Sequence, residues 1–229
     1  MPFSGKELIL FDLDGTLIDS VPDLTDAVNA MLADLGRMPF DEETVRGWVG
    51  NGGAMLVRRA LSGSREPDPT LEEAFFREAR KIFLRRYGER IPGRTRLYPE
   101  VGETLMRLGD RGYRLAVVTN KPEPFVEPIL KGLEIAEHFE MILGGESLPV
   151  KKPDPRPLLH TCETLGVDRK KAVMVGDSLN DIEAARCAGI PSIAVTYGYN
   201  YDEPIESYGP DRIVERFGEI ADILFEEKV

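Results

Sequence analysis

The fold is decided by the stretch Leu8-Ile9-Leu10-Phe11-Asp12-Leu13-Asp14-Gly15-Thr16, an apolar run that ends in two carboxylates, a glycine and a hydroxyl. The run has the length and composition of a strand buried on both faces, which is typical of parallel strands in α/β proteins. In such sheets ligands bind in the crevice beyond the carboxyl ends of the strands. We therefore expect Asp12 and Asp14 to stand in a crevice rather than in the core.

The two aspartates also set an electrostatic problem. Alternation along a strand points both side chains to the same side of the chain, where they lie close together. Two unit charges about 4 Å apart repel each other by roughly 4 kcal/mol at an effective dielectric constant of about 20. The pair therefore requires a bound cation, or a proton on one of the two carboxyl groups.

Composition and charge restrict the partners. The chain has 229 residues, 42% of them hydrophobic, which is enough for a sizeable core in one large domain or in a domain with an insertion. Its net charge of -11 repels polyphosphate and anionic lipid, so we expect neither a nucleic acid nor a membrane as a partner. A small anionic substrate is compatible with this charge where positive charge is built at the site.

Cysteine usage and hydropathy indicate the compartment. The two cysteines, Cys162 and Cys187, have neither the spacing of a metal site nor the number of a disulfide framework, which suits a reducing compartment. The segment Met1 to Lys6 lacks a basic region followed by a long apolar run, and no apolar stretch approaches membrane-spanning length. The sequence thus predicts a cytoplasmic protein.

The spacing of apolar residues changes along the chain. Helical spacing prevails from residue 18 to residue 91, with Ser20 and Thr70 as predicted helix starts, which indicates an all-helical block inserted after the first strand. From Leu97 onward, short apolar strands alternate with helices, which predicts a parallel sheet with helices on both faces. The predicted fold is α/β: a Rossmann-like core domain of residues 1–17 and 92–229 with an inserted helical domain of residues 18–91.

Polar side chains follow the later strands as well. Thr119 and Asn120 offer a hydroxyl and an amide to an anion. Lys152 offers an ammonium just before a helix, and Asp177 follows another strand, with Asp181 one helical turn further on. Because the carboxyl ends of parallel strands open on one edge, these groups should converge with the first two aspartates. The sequence therefore predicts a hard-cation site beside an anion site, and carboxylate oxygens suit Mg²⁺.

Phosphoryl transfer is the chemistry that needs this set: a carboxylate nucleophile, an acid for the leaving oxygen and positive charge around the phosphate. Each part alone has a plainer interpretation, because an Asp-x-Asp-Gly segment can be an exposed turn, Thr119-Asn120 a helix cap and Lys152 a solvated side chain. The apolar strand before Asp12 argues against the exposed turn, and the spacing does not continue into a calcium loop. Together and in this order, the segments favour a catalytic site.

Four segments match, in order, the motifs of the haloacid dehalogenase-like hydrolases, and the resemblance covers essentially the whole chain. They are Asp12-Leu-Asp-Gly-Thr16, Thr119-Asn120, Lys152-Pro153 and Gly176-Asp177-Ser178-x-x-Asp181. The resemblance implies that the inserted helices form that family's cap domain. Further segments resemble the bacterial phosphoglycolate phosphatases within the family: Trp48-Val-Gly-Asn-Gly-Gly53, Leu56-Val-Arg-Arg-Ala-Leu61, Gly176-Asp-Ser-Leu-Asn-Asp-Ile182 and Tyr197-Gly-Tyr-Asn200.

The resemblance also implies roles for the first two aspartates. Asp12 is expected to attack phosphorus and to form an aspartyl-phosphate. Asp14 is expected to protonate the leaving alkoxide and then to deprotonate the water that hydrolyses the intermediate. Mg²⁺ is expected on the side chains of Asp12 and Asp177 and on the backbone carbonyl of Asp14.

The remaining motif residues are expected to bind the phosphoryl group. The resemblance assigns its oxygens to Thr119, Asn120 and Lys152, and it makes Lys152 part of the catalytic set. Asp181 is expected to orient Lys152 or a water on the metal. Thr16 is expected to contact the substrate.

The cap is expected to select the substrate. Gly50 to Gly53 precedes a helix, so backbone amides there, with Gly52 as the expected contact, are suited to a small carboxylate, although a bare turn is nearly as good an interpretation. Arg58 is the side chain of the cap that we expect to reach the substrate, against the default of a solvated position on a helix.

The expected activity is Mg²⁺-dependent hydrolysis of a small phosphorylated metabolite, 2-phosphoglycolate first, by a monomer or homodimer. The alternatives are a phosphatase of a sugar or amino-sugar phosphate and, from another class, a non-catalytic sensor of a phosphorylated ligand. A mutase of the β-phosphoglucomutase type is less favoured. A phosphonate-cleaving enzyme would need a Schiff-base lysine in the cap, where Lys81 is the only lysine of residues 18–91 and lies far from the glycine-rich loop.

Overall fold

The computed structural model describes residues 2–200 and 203–226. Strands and helices alternate along most of this chain, as the sequence predicts. The strands are β1 (Leu8–Phe11), β2 (Ile18–Asp19), β3 (Arg96–Leu97), β4 (Arg114–Pro122), β5 (Met141–Gly145), β6 (Ala172–Gly176), β7 (Ser192–Val195) and β8 (Arg212–Val214).

The α-helices divide into a group before β3 and a group after it. They are α1 (Val21–Asp34), α2 (Glu42–Arg46), α3 (Gly53–Ser62), α4 (Glu73–Gly88), α5 (Val101–Asp110), α6 (Glu123–Gly132), α7 (Arg156–Thr164), α8 (Leu179–Ala188) and α9 (Glu219–Glu226). Within the part of the chain that the structure describes, no helix is long and apolar enough to cross a membrane.

Six strands form one parallel sheet in the order β5-β4-β1-β6-β7-β8. Strand β1 is central, and all four of its residues are fully buried. Ile9 and Phe11 pack in one hydrophobic cluster while Leu8 and Leu10 pack in another, so the two faces of the strand are both covered. Burial of such side chains stabilises the fold by about 1.5–3 kcal/mol each. The sheet confirms the predicted α/β fold.

The first four helices leave and rejoin the sheet through a short antiparallel ribbon. Strands β2 and β3 form this ribbon, in which Ile18 pairs with Leu97. The sequence gives no sign of a strand at β2, because two residues are too few to show a period and their partner lies far along the chain. Next to the ribbon, the Asp23 carboxylate accepts hydrogen bonds from the backbone amides of Gly93 and Thr95, at 3.0 Å each. These bonds fasten the start of α1 to the returning segment.

Of two predicted helix starts, the one at Ser20 is confirmed and the one at Thr70 is wrong. Ser20 is the N-cap residue of α1, but its hydroxyl makes no capping bond there and instead donates to Asp14 Oδ1 at 2.5 Å. The predicted cap at Thr70 is wrong, because α4 begins at Glu73 and Thr70 bonds to Asp68 in the preceding turn. A short polar side chain in a turn competes for the groups that a helix cap would use.

Candidate active site

The carboxyl ends of β1 and β4 open into a pocket that lies between the sheet and the inserted helices. Its free space is about 510 Å³, with the open mouth included. From the sheet side it is lined by Asp12, Asp14, Thr119, Asn120, Lys121, Pro122 and Phe125, and from the helical side by Leu24, Val49, Gly50, Gly52, Gly53, Leu56, Phe83 and Tyr87. The topology alone brings the first residues together, because β1 and β4 are neighbours in the parallel sheet.

Asp12 contacts a lysine that also contacts a second carboxylate. Lys152 Nζ lies 2.9 Å from Asp12 Oδ1 and 2.6 Å from Asp181 Oδ1. Burial raises the pKa of Asp12 to about 6, with Lys152 opposing the rise and Asp181 adding to it. Burial by itself would lower the pKa of Lys152, but the two carboxylates raise it above its usual value. Lys152 is therefore a fixed positive charge in direct contact with Asp12.

Asp14 has a different set of partners. Its Oδ1 accepts hydrogen bonds from Ser20 Oγ at 2.5 Å and from Lys121 Nζ at 2.8 Å. The Lys121 side chain is only 2% exposed, so this ion pair is shielded from water. Asp12 and Asp14, the two aspartates at the end of β1, thus contact different lysines.

Asp177 lies beneath the pocket, at the end of β6. Its Oδ1 accepts a hydrogen bond from Thr16 Oγ1 at 2.9 Å, and its Oδ2 accepts one from the backbone amide of Tyr199 at 2.6 Å. Burial raises the pKa of Asp177 well above its usual value, and the carboxylates of Asp181 and Asp12 raise it further. Asp177 therefore has a neutral hydroxyl and an amide as partners, and its charge is only partly compensated.

The glycine of the first motif is required by this close approach. A Cβ atom at Gly15 would lie 2.2 Å from Asp177 Oδ2, and the φ angle of Gly15 is +89°. A side chain at this position would therefore displace Asp177, and the backbone angle disfavours one as well.

Three carboxylates form a cluster that is suited to a metal ion. Oxygens of Asp12, Asp177 and Asp181 all lie within 4.8 Å of one another, and all three residues are buried. Lys152 is the ammonium that contacts two of them, so the cluster carries more negative than positive charge. Burial raises the pKa values of Asp12 and Asp177, and the neighbouring carboxylates raise them further, a repulsion that a hard divalent cation would relieve. The residues present therefore fit the expected cation.

Thr119 and Asn120 lie near the carboxyl end of β4, where both line the pocket but have different partners. Thr119 lines the pocket, and its Oγ1 accepts a hydrogen bond from the backbone amide of Lys121 at 3.2 Å. Asn120 also lines the pocket, but its side-chain amide donates to the backbone carbonyl of Lys152 at 2.9 Å. Asn120 thus ties β4 to the segment that carries Lys152, and one N–H of its amide stays available for a ligand.

The three expected substrate contacts outside these strand ends occupy different places. Gly52 lines the pocket, as predicted. Thr16 is fully buried, and its hydroxyl donates to Asp177. Arg58 lies outside the pocket lining: its guanidinium bonds to Glu73 at 2.8 Å and stacks over the Phe76 ring at 3.8 Å. The position of Arg58 therefore favours a structural contact between α3 and α4.

Two pocket residues were missed by sequence reasoning. Lys121 directly follows Thr119-Asn120. Because an isolated lysine usually lies in solvent, this position alone does not predict a function for it. Tyr87 lies near the end of α4, far along the chain from every motif, and its helical spacing indicates only a buried position. The one usable signal was the adjacency of Lys121 to a strand end that was already predicted to face the site.

Comparison with known proteins agrees with this arrangement. A profile of the haloacid dehalogenase-like hydrolases matches residues 6–189. The chain is 48% identical over 220 residues to a phosphoglycolate phosphatase of Colwellia psychrerythraea, a match that covers 96% of this chain and 97% of that protein.

Solved structures give the same result. A predicted phosphoglycolate phosphatase from Haemophilus somnus superposes with a TM-score of 0.89 at 43% identity, over 96% of this chain and 98% of that chain. CbbY from Rhodobacter sphaeroides, solved with xylulose-1,5-bisphosphate, superposes with a TM-score of 0.76 at 28% identity, over 93% of this chain and 96% of that chain. The motifs, the sheet that positions them and these matches establish that the chain belongs to the haloacid dehalogenase-like hydrolases.

Proposed function

We propose that the protein is a Mg²⁺-dependent phosphomonoester hydrolase that acts on 2-phosphoglycolate through an aspartyl-phosphate on Asp12. The observation that carries this proposal is the pair of pocket aspartates that have separate lysine partners. Asp12 contacts Lys152, and Asp14 contacts Lys121 and Ser20. Two carboxylates with different partners are suited to different tasks, one as nucleophile and one as acid and base.

In the proposed reaction, an oxygen of Asp12 attacks phosphorus and the bond between phosphorus and the ester oxygen breaks. Asp14 gives a proton to the leaving oxygen, and it later takes a proton from the water that attacks the aspartyl-phosphate. Lys152, Thr119 and Asn120 bind the phosphoryl oxygens, where their positive charge and donors stabilise the negative charge of the transition state. Asp181 holds Lys152 in place through the 2.6 Å contact between their side chains.

We assign the Mg²⁺ ion to Asp12, Asp177 and the backbone carbonyl of Asp14. When bound, the ion supplies positive charge that screens the approach of an anionic nucleophile to an anionic phosphate. Thr16 and the amide of Tyr199 hold Asp177 in a fixed orientation for this ligand role.

The cap assignment belongs to the same proposal. We propose a core domain of residues 1–17 and 92–229 and a cap domain of residues 18–91, with the pocket between them. The ribbon of β2 and β3 supports this division, because both connections between the two parts pass through it or beside it. Closure of the cap would exclude water from the phosphoryl group. A cytoplasmic location and a monomeric or homodimeric state complete the proposal.

The choice of substrate rests on the relatives and on the pocket. The relatives from Colwellia psychrerythraea and Haemophilus somnus carry the name phosphoglycolate phosphatase. The apolar side chains on the helical side of the pocket offer no hydrogen bonds to the hydroxyls of a sugar. The CbbY structure, which binds a sugar bisphosphate, favours a sugar-phosphate phosphatase as the second candidate.

A panel of phosphate esters tests the proposal. Purified protein with Mg²⁺ should release phosphate from 2-phosphoglycolate with a higher kcat/KM than from sugar or amino-sugar phosphates. A higher kcat/KM on a sugar phosphate would show that the proposed substrate is wrong and that the proposed reaction is right. Ligand-induced stabilisation without turnover of any ester would support a non-catalytic sensor instead.

A further inference from the structure

A buried hydroxyl in the pocket lacks an acceptor for its proton. The side chain of Tyr87 belongs to α4, and the residue is 2% exposed. Among residues 2–200 and 203–226 this hydroxyl has no acceptor for its proton, because the Lys121 ammonium beside it can only donate, and the residue lines the pocket. Burial raises its pKa to about 12, so the hydroxyl is a neutral donor at physiological pH. A buried polar group without a partner is unfavourable, and its position in the pocket points to a ligand that completes it.

A buried ammonium lies beside this ring. Lys121 Nζ is 4.9 Å from the centroid of the Tyr87 ring and 2.8 Å from Asp14 Oδ1. An ammonium has three donors, so the bond to Asp14 leaves donors for a second acceptor. Lys121 therefore stands between the carboxylate that serves the leaving oxygen and the helical wall of the pocket. A group attached to the leaving oxygen must pass close to it.

The first turn of α3 lies on the same helical side of the pocket. Gly52 and Gly53 line the cavity, and the carbonyl of Gly52 accepts from the amides of Met55 and Leu56 as the helix begins. The first amides of a helix have no partners within it and carry partial positive charge. A Cβ atom at Gly52 would lie 2.9 Å from the backbone carbonyl of Asn120, so this turn sits directly against the end of β4.

From these three groups we infer that Lys121 and Tyr87, with the first turn of α3, form the subsite for the carboxylate of the leaving group. The inference rests on the proposed function and extends it to a substrate class: phosphate esters of short hydroxy acids. A full negative charge that leaves water needs a cation and several donors, which this corner of the pocket supplies. The Tyr87 hydroxyl donates to the carboxylate, and Lys121 provides its counter-charge while it keeps its contact with Asp14.

The same arrangement explains how other alcohols are rejected. The rest of the helical wall contributes apolar side chains such as Leu24, Leu56 and Phe83. An uncharged alcohol would leave the Tyr87 hydroxyl and the remaining donors of Lys121 without an acceptor, and a polyhydroxylated one would bury hydroxyls against carbon. The subsite therefore selects substrates whose leaving group carries a negative charge at one fixed distance from the ester oxygen.

The test compares two substrates that differ in this charge. We would measure kcat/KM for 2-phosphoglycolate and for ethyl phosphate in the full-length protein with Mg²⁺, and divide the first by the second. Tyr87→Phe should lower this ratio about 10-fold, as expected for a lost hydrogen bond to a charged group. Lys121→Gln should lower it further, by about 30-fold or more. Because Lys121 also contacts Asp14, its variant is expected to slow both substrates, and the ratio isolates the effect on the carboxylate.

Tyr98→Phe is the matched control. The Tyr98 hydroxyl is also buried, with Tyr199 beside it, but Tyr98 lies outside the pocket lining. Its loss should leave the ratio unchanged. A second readout is inhibition of ethyl phosphate hydrolysis by glycolate, which Tyr87→Phe and Lys121→Gln should weaken and Tyr98→Phe should not.

The outcomes separate the two proposals. If the unmodified protein hydrolyses 2-phosphoglycolate well and both pocket variants keep its ratio, the subsite is wrong and the proposed function stands. If the unmodified protein does not hydrolyse 2-phosphoglycolate, the proposed substrate is wrong, and glycolate inhibition then decides the subsite. Weaker inhibition in the two pocket variants supports a carboxylate site, whereas equal inhibition, or none in the unmodified protein, rejects it.

Discussion

The two sides of the pocket differ in how their polar groups are arranged. On the sheet side, the carboxylates of Asp12, Asp14 and Asp177 each contact a partner that the fold supplies. On the helical side, apolar side chains surround one tyrosine hydroxyl and one helix start. The difference indicates that the core supplies the proposed reacting groups and most of their partners, to which the inserted segment adds Ser20 at Asp14, whereas the inserted helices shape the rest of the pocket.

The physical reason lies in the cost of buried charge. A carboxylate that leaves water must be paired and hydrogen-bonded, so the neighbours of each aspartate are determined closely. An apolar wall has no such requirement, because one apolar side chain can be replaced by another of similar volume at little cost in stability. The sheet side therefore has little freedom to change, and the helical side can change its specificity at low cost.

Loss of the proposed nucleophile, Asp12, should have the largest effect and should act on the sheet side alone. Asp12→Asn removes the attacking oxygen charge, and we expect kcat to fall by roughly 1,000-fold or more. Phosphate release from the best ester of the panel measures this. Asp110→Asn is the control, because Asp110 is exposed at the end of α5 and should leave kcat unchanged. Undiminished turnover in the Asp12 variant would remove it as the nucleophile.

A change at the contact between the two sides should have an intermediate effect. Gly52 has φ 83° and ψ 165°, a region that only glycine adopts readily, and its Cβ would meet the Asn120 carbonyl at 2.9 Å. Gly52→Ala should push α3 away from β4 and raise KM by about 10-fold, with a smaller change in kcat.

The matched control for Gly52→Ala is Gly36→Ala. Gly36 also has a positive φ angle, 68°, but a Cβ atom there would meet no atom within 4 Å. This variant should lose some stability and keep its KM. Equal KM values for both variants would mean that the first turn of α3 does not shape the site.

The acidic cluster predicts how metal binding depends on pH. Burial raises the pKa of Asp12 to about 6 from the ordinary 3.8, so the folded protein keeps a proton that the unfolded chain has released. Stability without metal should therefore fall as the pH rises from about 4 to about 6. Mg²⁺ competes with that proton, so it should raise Tm by a few degrees more at about pH 7.5 than at about pH 5.

Thermal unfolding with and without Mg²⁺ at the two pH values measures this effect. In Asp12→Asn the difference between the two pH values should shrink, because the variant has no proton to release at this position. An equal Mg²⁺ effect at both pH values in the unmodified protein would contradict the assignment of Asp12 to the cation.

The smallest effect is expected for Arg58 on the helical side. Its guanidinium bonds to Glu73 and stacks on Phe76, outside the pocket lining. Arg58→Ala should change kcat/KM by less than about two-fold and lower the free energy of unfolding by about 1 kcal/mol, the size of an exposed ion pair with a ring contact. A ten-fold loss of kcat/KM at unchanged stability would restore Arg58 as a substrate contact.

Much of the sheet side was predictable because its signals are local. Leu8 to Phe11 forms a continuous apolar run, and the polar residues at the carboxyl ends of β1, β4 and β6 are read directly from the sequence. The rule that parallel strands open on one edge then brings them together. The helical side offered no such rule. Residue type alone favours Arg58 as a substrate contact. Its ion pair with Glu73 depends on the packing of α3 on α4, which the sequence does not show.

The α/β fold, the strand ends that carry the polar groups and the family of the chain can all be inferred from the amino-acid sequence, because hydrophobic period and short motifs are properties of neighbouring residues. The folded structure is needed to see that Ser20 donates to Asp14 rather than capping its own helix, and that Lys121 and Tyr87 meet in the pocket. Such pairings depend on how distant segments pack, and no periodicity within one segment records them.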